Sequence, residues 1–517
     1  MDSPHINRRT LVVAMASSAA ALAAGGCAAP LQQPRTGTTG GAVEMGRRID
    51  RVTWGVNDST LSVVRTQGFE KWLSAQLSSQ GTPVLPRNVQ ARIDEMSVSR
   101  EGMAVLVQQL EDRRKAADAI VADDAKRLAQ QAYQQELNRL ARECASRHVL
   151  RALYSPAQVH ERMTWFWLNH FSVHQNKHNL RAMLGDYEDT IRAQSLGRFR
   201  DLLAGAAMHP AMLRYLDNDQ NASGRINENY ARELMELHTL GVDAGYSQHD
   251  VQELARVLTG VGVNLNAAPA AVRKELQALY VRRGLFEFNP NRHDFGAKQL
   301  LGQPIASRGL AEFDEALDRL ARHRACARFI CHKLAAYWMS DAPPAHITAA
   351  MERTFVQTDG QIAQVLQTLF AAPEFWQARK FKDPMHYVVS AVRAAYDTRP
   401  VVNTTPVLNW LSRLGESLYG RQTPDGYPLD SGAWSSAGQM ATRFEIAKSI
   451  GSASAGLFRS DDPTPREEPA FPQLATPLYY EWRAGTLSAP TREALAHSSS
   501  PQEWNTFLLA SPEFMQS

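Results

Sequence analysis

The sequence has few cysteines and almost no excess of charge of either sign. It contains 4 cysteines in 517 residues, and its 56 Lys and Arg residues against 53 Asp and Glu leave a net charge of +3. So few and so scattered cysteines exclude a disulfide framework or a cysteine-rich metal site. The near balance of charge gives no field that would favour nucleic acid or an anionic membrane surface as a partner.

The sequence also has no apolar run long enough to anchor it in a membrane. The apolar run at 11–24 is shorter than the roughly 20 residues that a membrane span needs. It follows the pair Arg8 and Arg9, which is the pattern of a twin-arginine export signal. We therefore predict that residues 1–26 are a signal peptide that is removed. The protein is then exported, already folded, to the periplasm.

Cys27 stands where a lipoprotein signal places its acylated residue. Residues 22–27 resemble such a signal, although Ala24 occupies a position where Leu is usual. Two interpretations stay open: Cys27 is acylated and anchors the protein in the membrane, or export is soluble and Cys27 is trimmed or remains a spare thiol. The Ala, Pro, Gln, Gly and Thr content of the next segment predicts a flexible tether over 27–46.

The rest of the chain, 47–517, has the apolar periodicity of a single large helical domain. A long charged stretch at 112–147 predicts a protruding helical hairpin. Strand signals occur at 285–288 and 298–301, beside Asn-Pro-Asn turn chemistry. The predicted fold class is mainly α, a large multi-helix globular domain with a long helical hairpin and one small β-hairpin.

The densest block of polar side chains lies on one predicted helix, 227–241. Asn227 caps its start, and a glycine ends it. Glu228, Arg232 and Glu236 share one face at i, i+4 spacing. They belong either to a functional site or to a surface ladder of ion pairs.

Glu233 and His238 flank the buried stripe of the same helix from either side. A partly buried carboxyl or imidazole group at such a position can have a shifted pKa, which suits general acid–base chemistry. Together with Glu228 and His170 they are the predicted catalytic residues. Glu228 or Glu233 would act as the general acid or base beside His170 or His238.

Upstream of this helix, oxygen-bearing side chains follow the spacing of a calcium loop. Asp217, Asp219 and Asn221 occupy positions 1, 3 and 5, and Glu228 occupies position 12. Position 6 is Ala222, where the sharp turn of such a loop needs glycine. Calcium is one interpretation of this segment, and an Asx-rich turn that caps the helix is the one the sequence favours.

Two further groups contain histidine. His170 begins a series of three histidines, spaced four residues apart and ending at His178, which fits zinc or else a hydrogen-bonded core His170 with exposed neighbours. No HExxH glutamate accompanies them, so the core interpretation is favoured. His293 and Asp294, with Lys298, could supply an acid–base pair or form a turn network.

Several short motifs occur in the order of one known family. They are Phe166-Trp167-Leu168-Asn169-His170-Phe171, Tyr230-Ala231-Arg232-Glu233-Leu234, Thr259-Gly260, His293-Asp294 with Lys298, and Arg443 after Trp434. From about residue 47 to the C-terminus the chain resembles a large bacterial family catalogued as domain of unknown function 1800. That family has no reaction that could be carried over.

The resemblance implies a set of site residues and a partner. The residues that match the family pattern are His170, Asn227, Glu228, Arg232, Glu233, His293, Asp294 and Lys298. We expect Asn227, Arg232, His293, Asp294 and Lys298 to be binding residues. Val261 and Tyr427 stand where the family commonly has Trp, so a pocket lined by those aromatics would differ here. Family members are often encoded beside an exported family, domain of unknown function 1501, which implies a partner from that family.

Two functions of different class remain open. The favoured one is a periplasmic or envelope hydrolase that acts on a glycan or another extracytoplasmic polymer through carboxylate and histidine groups. The other is a non-catalytic binding or assembly component, in which the same residues hold a helical core together through buried hydrogen bonds. The two differ in whether these residues converge on one accessible pocket.

Overall fold

The computed structural model describes residues 40–78, 84–459 and 471–517. The fold is mainly helical with small antiparallel sheets, as the periodicity of the sequence predicts. The predicted signal peptide, which contains Arg8 and Arg9, lies outside the described residues. Cys27 and most of the predicted tether also lie outside them. Within the described ranges, no helix is both long enough and apolar enough to cross a membrane.

The N-terminal part of the fold consists of helices α1 to α7. They are α1 Gly40–Val52, α2 Asp58–Gln67, α3 Phe69–Gln76, α4 Arg87–Glu95, α5 Ser97–Arg100, α6 Met103–Asp118 and α7 Asp123–Tyr154. Helix α1 starts at Gly40 rather than near Arg47, so the last part of the predicted tether is helical. Gly46 packs so closely on Trp482 that an added Cβ would lie 2.4 Å from the ring, so only glycine permits this contact between α1 and the C-terminal part.

Helices α6 and α7 form the predicted helical hairpin. A short connection at 119–122 joins the two helices, which pack against each other. On α6, Arg114 and Asp118 form a surface ion pair at 3.0 Å. On α7, the buried residues begin only at Leu137, so the hairpin protrudes at its tip and enters the core at its base.

Helix α8 lies at the centre of the fold. The central helices are α8 Gln158–His170, α9 Leu184–Gln194, α10 Phe199–Ala207, α11 Pro210–Tyr215, α12 Asn229–Glu236 and α13 Gln248–Val257, with 3₁₀ turns at Leu180–Ala182 and Asn218–Gln220. Trp165, Phe166 and Trp167 are all buried, as the apolar composition of α8 predicts. Helix α13 begins with a capping box between Ser247 and Asp250.

Two small antiparallel sheets stand in place of the single predicted hairpin. Strands β1 Val261–Val263, β2 Val281–Arg283 and β3 Phe286–Phe288 form a sheet in the order β1, β3, β2, while β4 Gln299–Leu300 pairs with β5 Gln303–Pro304. Gly284, at φ 60°, makes the tight turn between β2 and β3. The two predicted strand segments do not pair with each other, because each finds a partner across a nearer turn.

The C-terminal part returns to helices and closes the fold on α1. Its helices are α14 Leu310–Arg322, α15 Arg324–Trp338, α16 Ala345–Gln357, α17 Ile362–Phe370, α18 Pro373–Gln377, α19 Pro384–Tyr396, α20 Thr405–Arg413, α21 Ala437–Ser452, α22 Ala484–Thr486, α23 Ala489–Ala496 and α24 Pro501–Leu509. Shorter turns lie at Lys274–Leu279, Pro290–Arg292, Ser431–Trp434 and Tyr479–Arg483. The turn Tyr479–Arg483 packs on α1, and one continuous set of buried apolar side chains runs from Ile49 to Met515.

Candidate acid–base site

The 414–436 loop, between α20 and α21, lies against the C-terminal end of α8. Asn169 of α8 accepts the backbone N–H of Tyr427 at 2.6 Å and donates to the Tyr427 carbonyl at 3.0 Å. Gly426 has φ 77°, and a Cβ there would lie 2.2 Å from the Asn169 carbonyl oxygen, so only glycine permits this approach. The loop therefore carries Asp425, the preceding residue, to this end of α8.

His170, the last residue of α8, is hydrogen-bonded to a lysine. The Nζ atom of Lys333, on α15, lies 2.9 Å from Nδ1 of His170, and Nε2 of His170 lies 3.1 Å from the carbonyl oxygen of His238. When the lysine donates to Nδ1, the imidazole carries its proton on Nε2 and donates it to that carbonyl. Both histidines are buried, with 2% of His170 and 1% of His238 exposed.

The pKa values of these three groups are all displaced downward. Burial lowers the pKa of Lys333 to about 8, although the charge of Asp425 opposes the effect. Burial, followed by the charge of Lys333, lowers the pKa of His238 to about 3 and holds the pKa of His170 well below its usual range. Both imidazoles are therefore neutral near pH 7, whereas Lys333 changes its charge close to that pH.

Two carboxyl groups beside this centre have pKa values displaced in opposite directions. Burial, followed by the charge of Glu236, raises the pKa of Glu233, and the charge of Asp425 raises it further. Burial alone would raise the pKa of Asp425. Hydrogen bonds from Arg421, at 2.8 Å, and from Thr423 outweigh this effect and lower the pKa. Glu233 thus holds its proton to a higher pH than an ordinary glutamate, whereas Asp425 releases its proton at a lower pH than an ordinary aspartate.

Tyr215 lies within the electrostatic field of both carboxyl groups. Burial, followed by the charges of Glu233 and Asp425, raises the pKa of Tyr215 to about 12. Its hydroxyl donates to the carbonyl of Gln422 in the 414–436 loop at 2.8 Å. Both carboxyl groups therefore act on the same tyrosine, and a carboxyl group of raised pKa near one of lowered pKa is an arrangement that acid–base catalysis uses.

Three residues of this centre lie in motifs that match one family. Asn169 and His170 lie in the 166–171 motif, and Glu233 lies in the 230–234 motif. A family model described as "Protein of unknown function (DUF1800)" matches residues 47–516. The chain belongs to the DUF1800 family. No curated protein and no solved structure matches it.

In this DUF1800 protein, Glu228 and Arg232 lie in a surface ladder of ion pairs. This is the second of the two interpretations of their i, i+4 spacing, the first being a functional site. Arg232 lies 3.3 Å from Glu228 and 3.5 Å from Glu236. Gln248 of α13 joins the group, since its Nε2 donates to Glu228 at 2.6 Å. Among the described residues, the side-chain contacts of Glu228 are with this ladder and not with His170, so the structure does not bring these two predicted catalytic residues together.

Asn227 takes part in an Asx-rich turn in front of α12. Asn221 accepts the backbone N–H of Asn227 at 2.9 Å and donates to the Ala255 carbonyl at 2.8 Å. Asn227 in turn donates to the backbone carbonyl of Asp217 at 3.1 Å. These bonds satisfy backbone groups of the turn, which is the role that the favoured interpretation of this segment predicts.

The acidic residues of the same segment have partners within the protein. The carboxylate of Asp217 lies 2.7 Å from Nζ of Lys177, and the backbone carbonyl of Asp219 accepts from Arg292 at 2.7 Å. Across the part of the chain that the structure describes, no group of three or more His, Cys, Asp or Glu side chains is placed to hold a metal ion. The turn accounts for Asp217, Asp219 and Asn221, while calcium binding stays a prediction from spacing.

His293 and Lys298 form a buried network with a residue distant in sequence. Glu312, on α14, lies 3.1 Å from Nε2 of His293 and 2.7 Å from Nζ of Lys298. Asp294 pairs with Arg256 at 2.8 Å. The side chains of His293 and Lys298 are 0% and 1% exposed, and each of the three predicted binding residues already has a partner within the protein. These contacts correspond to a turn network, the second interpretation of this group, and Glu312 is a further member of it.

Lys333 and Asp425 are members of the site that the sequence does not reveal. Lys333 lies on α15, and a lysine on a helix of mixed composition is ordinarily solvent-exposed. Asp425 precedes the segment Gly426-Tyr427-Pro428. Glycine and proline beside an aromatic residue mark a turn of defined shape, so this segment is the sequence signal that could have pointed to Asp425.

Asp425→Asn is expected to lower the pKa of Lys333 below about 8, because the aspartate charge favours the protonated amine. Reductive methylation with ¹³C-formaldehyde followed by NMR titration measures the pKa, and the Lys333→Met variant assigns the signal. Asp243→Asn, an exposed change on the connection after α12, is the matched control and leaves the titration unchanged. A Lys333 pKa that stays constant or rises in Asp425→Asn would contradict the electrostatic coupling.

Proposed function

We propose that this DUF1800 protein is an exported hydrolase that acts on a glycan or another extracytoplasmic polymer. Glu233 is the general acid, and Asp425 is the general base or the carboxylate that stabilises positive charge in the transition state. The observation that supports this proposal is the opposite displacement of their two pKa values beside Lys333. Glycoside hydrolysis needs one protonated and one ionised carboxyl group at the same pH.

Lys333 and the histidines have distinct roles in this mechanism. The amine of Lys333 is held by His170, so it can donate a hydrogen bond to substrate from a fixed position. His170 and His238 are positioning residues, because both are buried and neutral and they act through the lysine. The 414–436 loop carries Asp425 and would move or tighten when a polymer binds.

Glu233→Gln is expected to lower the rate of polymer hydrolysis about 100-fold, because the amide has no proton to give to the leaving oxygen. Release of soluble fragments from peptidoglycan and from neutral and acidic polysaccharides measures the rate. Glu275→Gln is the matched control, since the Glu275 side chain is 69% exposed and lies outside this centre. Thermal unfolding of both variants checks that the fold is retained.

Two outcomes contradict this proposal. One is the absence of hydrolysis of every polymer class by the folded wild-type protein. The other is hydrolysis at an equal rate by the Glu233→Gln and Glu275→Gln variants, which would place the chemistry elsewhere. Loss of activity in Asp425→Asn, with Glu275→Gln unaffected, would support the assignment of the second carboxylate.

A non-catalytic binding or assembly role is the second candidate, and a specific observation favours it. The family-matching residues Arg232, His293 and Lys298 have their charged groups occupied by other side chains of the protein, which is the expected state of structural residues. On this view the partner is an exported protein of the domain of unknown function 1501 family. Co-purification of such a protein from the periplasm with both wild type and Glu233→Gln, without polymer hydrolysis, would favour this role.

A further inference from the structure

A groove rich in side-chain amides follows the helical hairpin, between α6 and α7. Its volume is about 610 Å³, which lies within the roughly 300–1,000 Å³ of pockets that hold small organic ligands. Helix α7 lines the groove with Tyr133 and with the five amide side chains of Gln130, Gln131, Gln134, Gln135 and Asn138. The acid–base site uses none of these residues, so the groove is a separate feature of the molecule.

The charged side chains of the groove are already paired. Arg114 of α6 lies 2.9 Å from Glu111 and 3.0 Å from Asp118, and Arg127 of α7 lies 3.1 Å from Asp124. These pairs neutralise the charged groups on both helices of the hairpin. What the groove offers to a ligand is therefore its uncharged amide groups.

Arg181 lies at the floor of the groove and fixes the orientation of two of the amides. Only 7% of this residue is exposed, and its guanidinium donates to Oδ1 of Asn138 at 2.5 Å and to Oε1 of Gln134 at 3.1 Å. Because both amide oxygens face the arginine, the NH₂ groups of Asn138 and Gln134 are directed away from it as donors. Hydrogen bonds in series polarise one another, so the buried guanidinium makes these two amides stronger donors.

The other three amides have their full hydrogen-bonding capacity available. Gln130, Gln131 and Gln135 are exposed, and their side chains make no hydrogen bond within the part of the chain that the structure describes. A side-chain amide both donates and accepts, as a hydroxyl group does. From 130 to 138 the helix rises about 12 Å, so the amides form an extended row rather than a single point of contact.

Tyr133 adds an apolar surface to this row. The residue is half-buried, and its position in the groove lies among the amides. A tyrosine ring combines an apolar face with a polar end. It can therefore pack against the C–H face of a sugar ring while neighbouring amides bind the hydroxyl groups.

The groove lies close to the acid–base site. The 3₁₀ turn Leu180–Ala182, which contains Arg181, packs on both α7 and α11. Helix α11 ends at Tyr215, the residue on which the charges of Glu233 and Asp425 act. One turn and one short helix therefore connect the floor of the groove with the acid–base site.

We propose that the hairpin groove binds a neutral glycan chain. The amide row binds the hydroxyl or acetamido groups of successive sugars, and Tyr133 packs against one ring. The paired charges favour a neutral chain over an acidic one, because an anionic ligand would have to compete with Glu111, Asp118 and Asp124 for the arginines. This binding goes beyond the proposed hydrolysis, since the groove would hold a glycan whether or not the acid–base site cleaves it.

Calorimetric titration of the purified protein tests the proposal with the tetramers of N-acetylglucosamine and of glucose as neutral probes, and with tetragalacturonate as the acidic one. The Gln131→Ala, Gln135→Ala double variant is expected to weaken binding of a neutral tetramer at least about tenfold, through the loss of two amide contacts. Both residues are exposed and alanine favours a helix, so the fold tolerates the change. The Gln364→Ala, Gln367→Ala double variant, with two exposed glutamines of α17, is the matched control.

Binding of a neutral tetramer that is weakened in the groove variant and not in the α17 variant supports the proposal. The proposal is overturned if neither neutral tetramer binds, if the two double variants bind equally well, or if tetragalacturonate binds as tightly as the neutral probes. Glu233→Gln is expected to bind the tetramers as the wild type does, because Glu233 lies outside the groove. Failure of binding thus leaves the acid–base proposal standing, and failure of hydrolysis leaves this one standing.

Discussion

Replacing Glu188 by glutamine is expected to lower the free energy of unfolding by about 3 kcal/mol. The Glu188 side chain is 0% exposed and lies 2.6 Å from Arg192 and 3.3 Å from both His148 and Arg151. It also accepts the hydroxyl of Tyr419 at 2.7 Å. Glutamine keeps the volume but removes the charge, so buried cations lose a counter-charge. Urea unfolding at pH 7 measures the difference.

The expected loss is at the lower end of the range for breaking a buried ion pair, roughly 3–5 kcal/mol. Arg192 keeps an ion pair with Glu161, and Arg151 keeps one with Asp189 at 3.0 Å. Asp124→Asn is the matched control, because its pair with Arg127 lies on the surface with the aspartate 93% exposed. That change is expected to cost less than about 1 kcal/mol. Equal losses in the two variants would contradict the burial argument.

The pH dependence gives an independent check on Glu188. Burial alone would raise its pKa, but His148, Arg192 and Arg147 hold the pKa of this carboxyl well below its usual range. Because the folded-state pKa of Glu188 is depressed, its carboxylate stabilises the fold at pH values above the unfolded-state pKa of about 4.3. This stabilisation is lost as the pH falls through the folded-state pKa. The difference between wild type and Glu188→Gln is therefore expected to be constant near neutral pH and to shrink in acid.

The same residue connects stability to the candidate site. Tyr419, which donates to Glu188, has φ 55°, a left-handed conformation that costs energy for a residue with a side chain. The contact with Glu188 helps to hold this conformation at the start of the 414–436 loop. Loss of the contact is expected to loosen the loop, and with it the position of Asp425.

Two patterns visible in the sequence coincide with helical elements of the fold. Trp165 and Trp167 make one segment apolar on nearly every side, and both side chains are buried in α8. Ser247 and Asp250 have the spacing of a capping box, and they form one at the start of α13. Each of these signals involves neighbours within a few residues of one another, so the physical information is contained in the segment itself.

The strands were predicted less well because their pairing depends on turns and on distant residues. Segment 285–288 carries a strand signal, yet β3 pairs with β1 as well as with β2. Strand β4 pairs across Leu301 and Gly302, both in left-handed conformations, with β5. Strands of two or three residues have too little alternation for the sequence to select one partner over another.

The candidate site was predicted only where it is local to a helix. Glu233 and His238 flank the apolar stripe of one predicted helix, and both have displaced pKa values in the structure. Lys333 and Asp425 join them only after α15 and the 414–436 loop pack on α8. No spacing rule connects residues so far apart, and burial by tertiary packing is what changes the chemistry of Lys333.

The His293 group shows what a short-range pattern leaves out. His293, Asp294 and Lys298 match the family pattern, which made them predicted binding residues. In the fold, Glu312 and Arg256 approach from other elements and pair with them. The sequence gives the residue types of such a network but not the partners that occupy them.

Replacing both Arg8 and Arg9 by lysine is expected to keep the precursor in the cytoplasm. The twin-arginine route recognises the arginine pair, whereas two lysines preserve the positive charge of the segment. Cell fractionation and immunoblotting measure the result, which is uncleaved precursor in the cytoplasm with no mature protein in the periplasmic or membrane fractions. Arg35→Lys, in the predicted tether, is the matched control and leaves export intact.

The fold adds an expectation about the retained precursor. Ion pairs such as Glu188 with Arg151, and Glu312 with Lys298, bury charge between distinct parts of the fold and therefore depend on a folded chain. Because the twin-arginine route carries folded proteins, the retained precursor is expected to resist protease. Normal export of the double-lysine variant would contradict this route.

Cys27→Ala separates the two alternatives for Cys27. If Cys27 is acylated, the variant is expected to be released from the membrane fraction. If export is soluble, the protein is expected to stay in the soluble periplasmic fraction, as in the wild type.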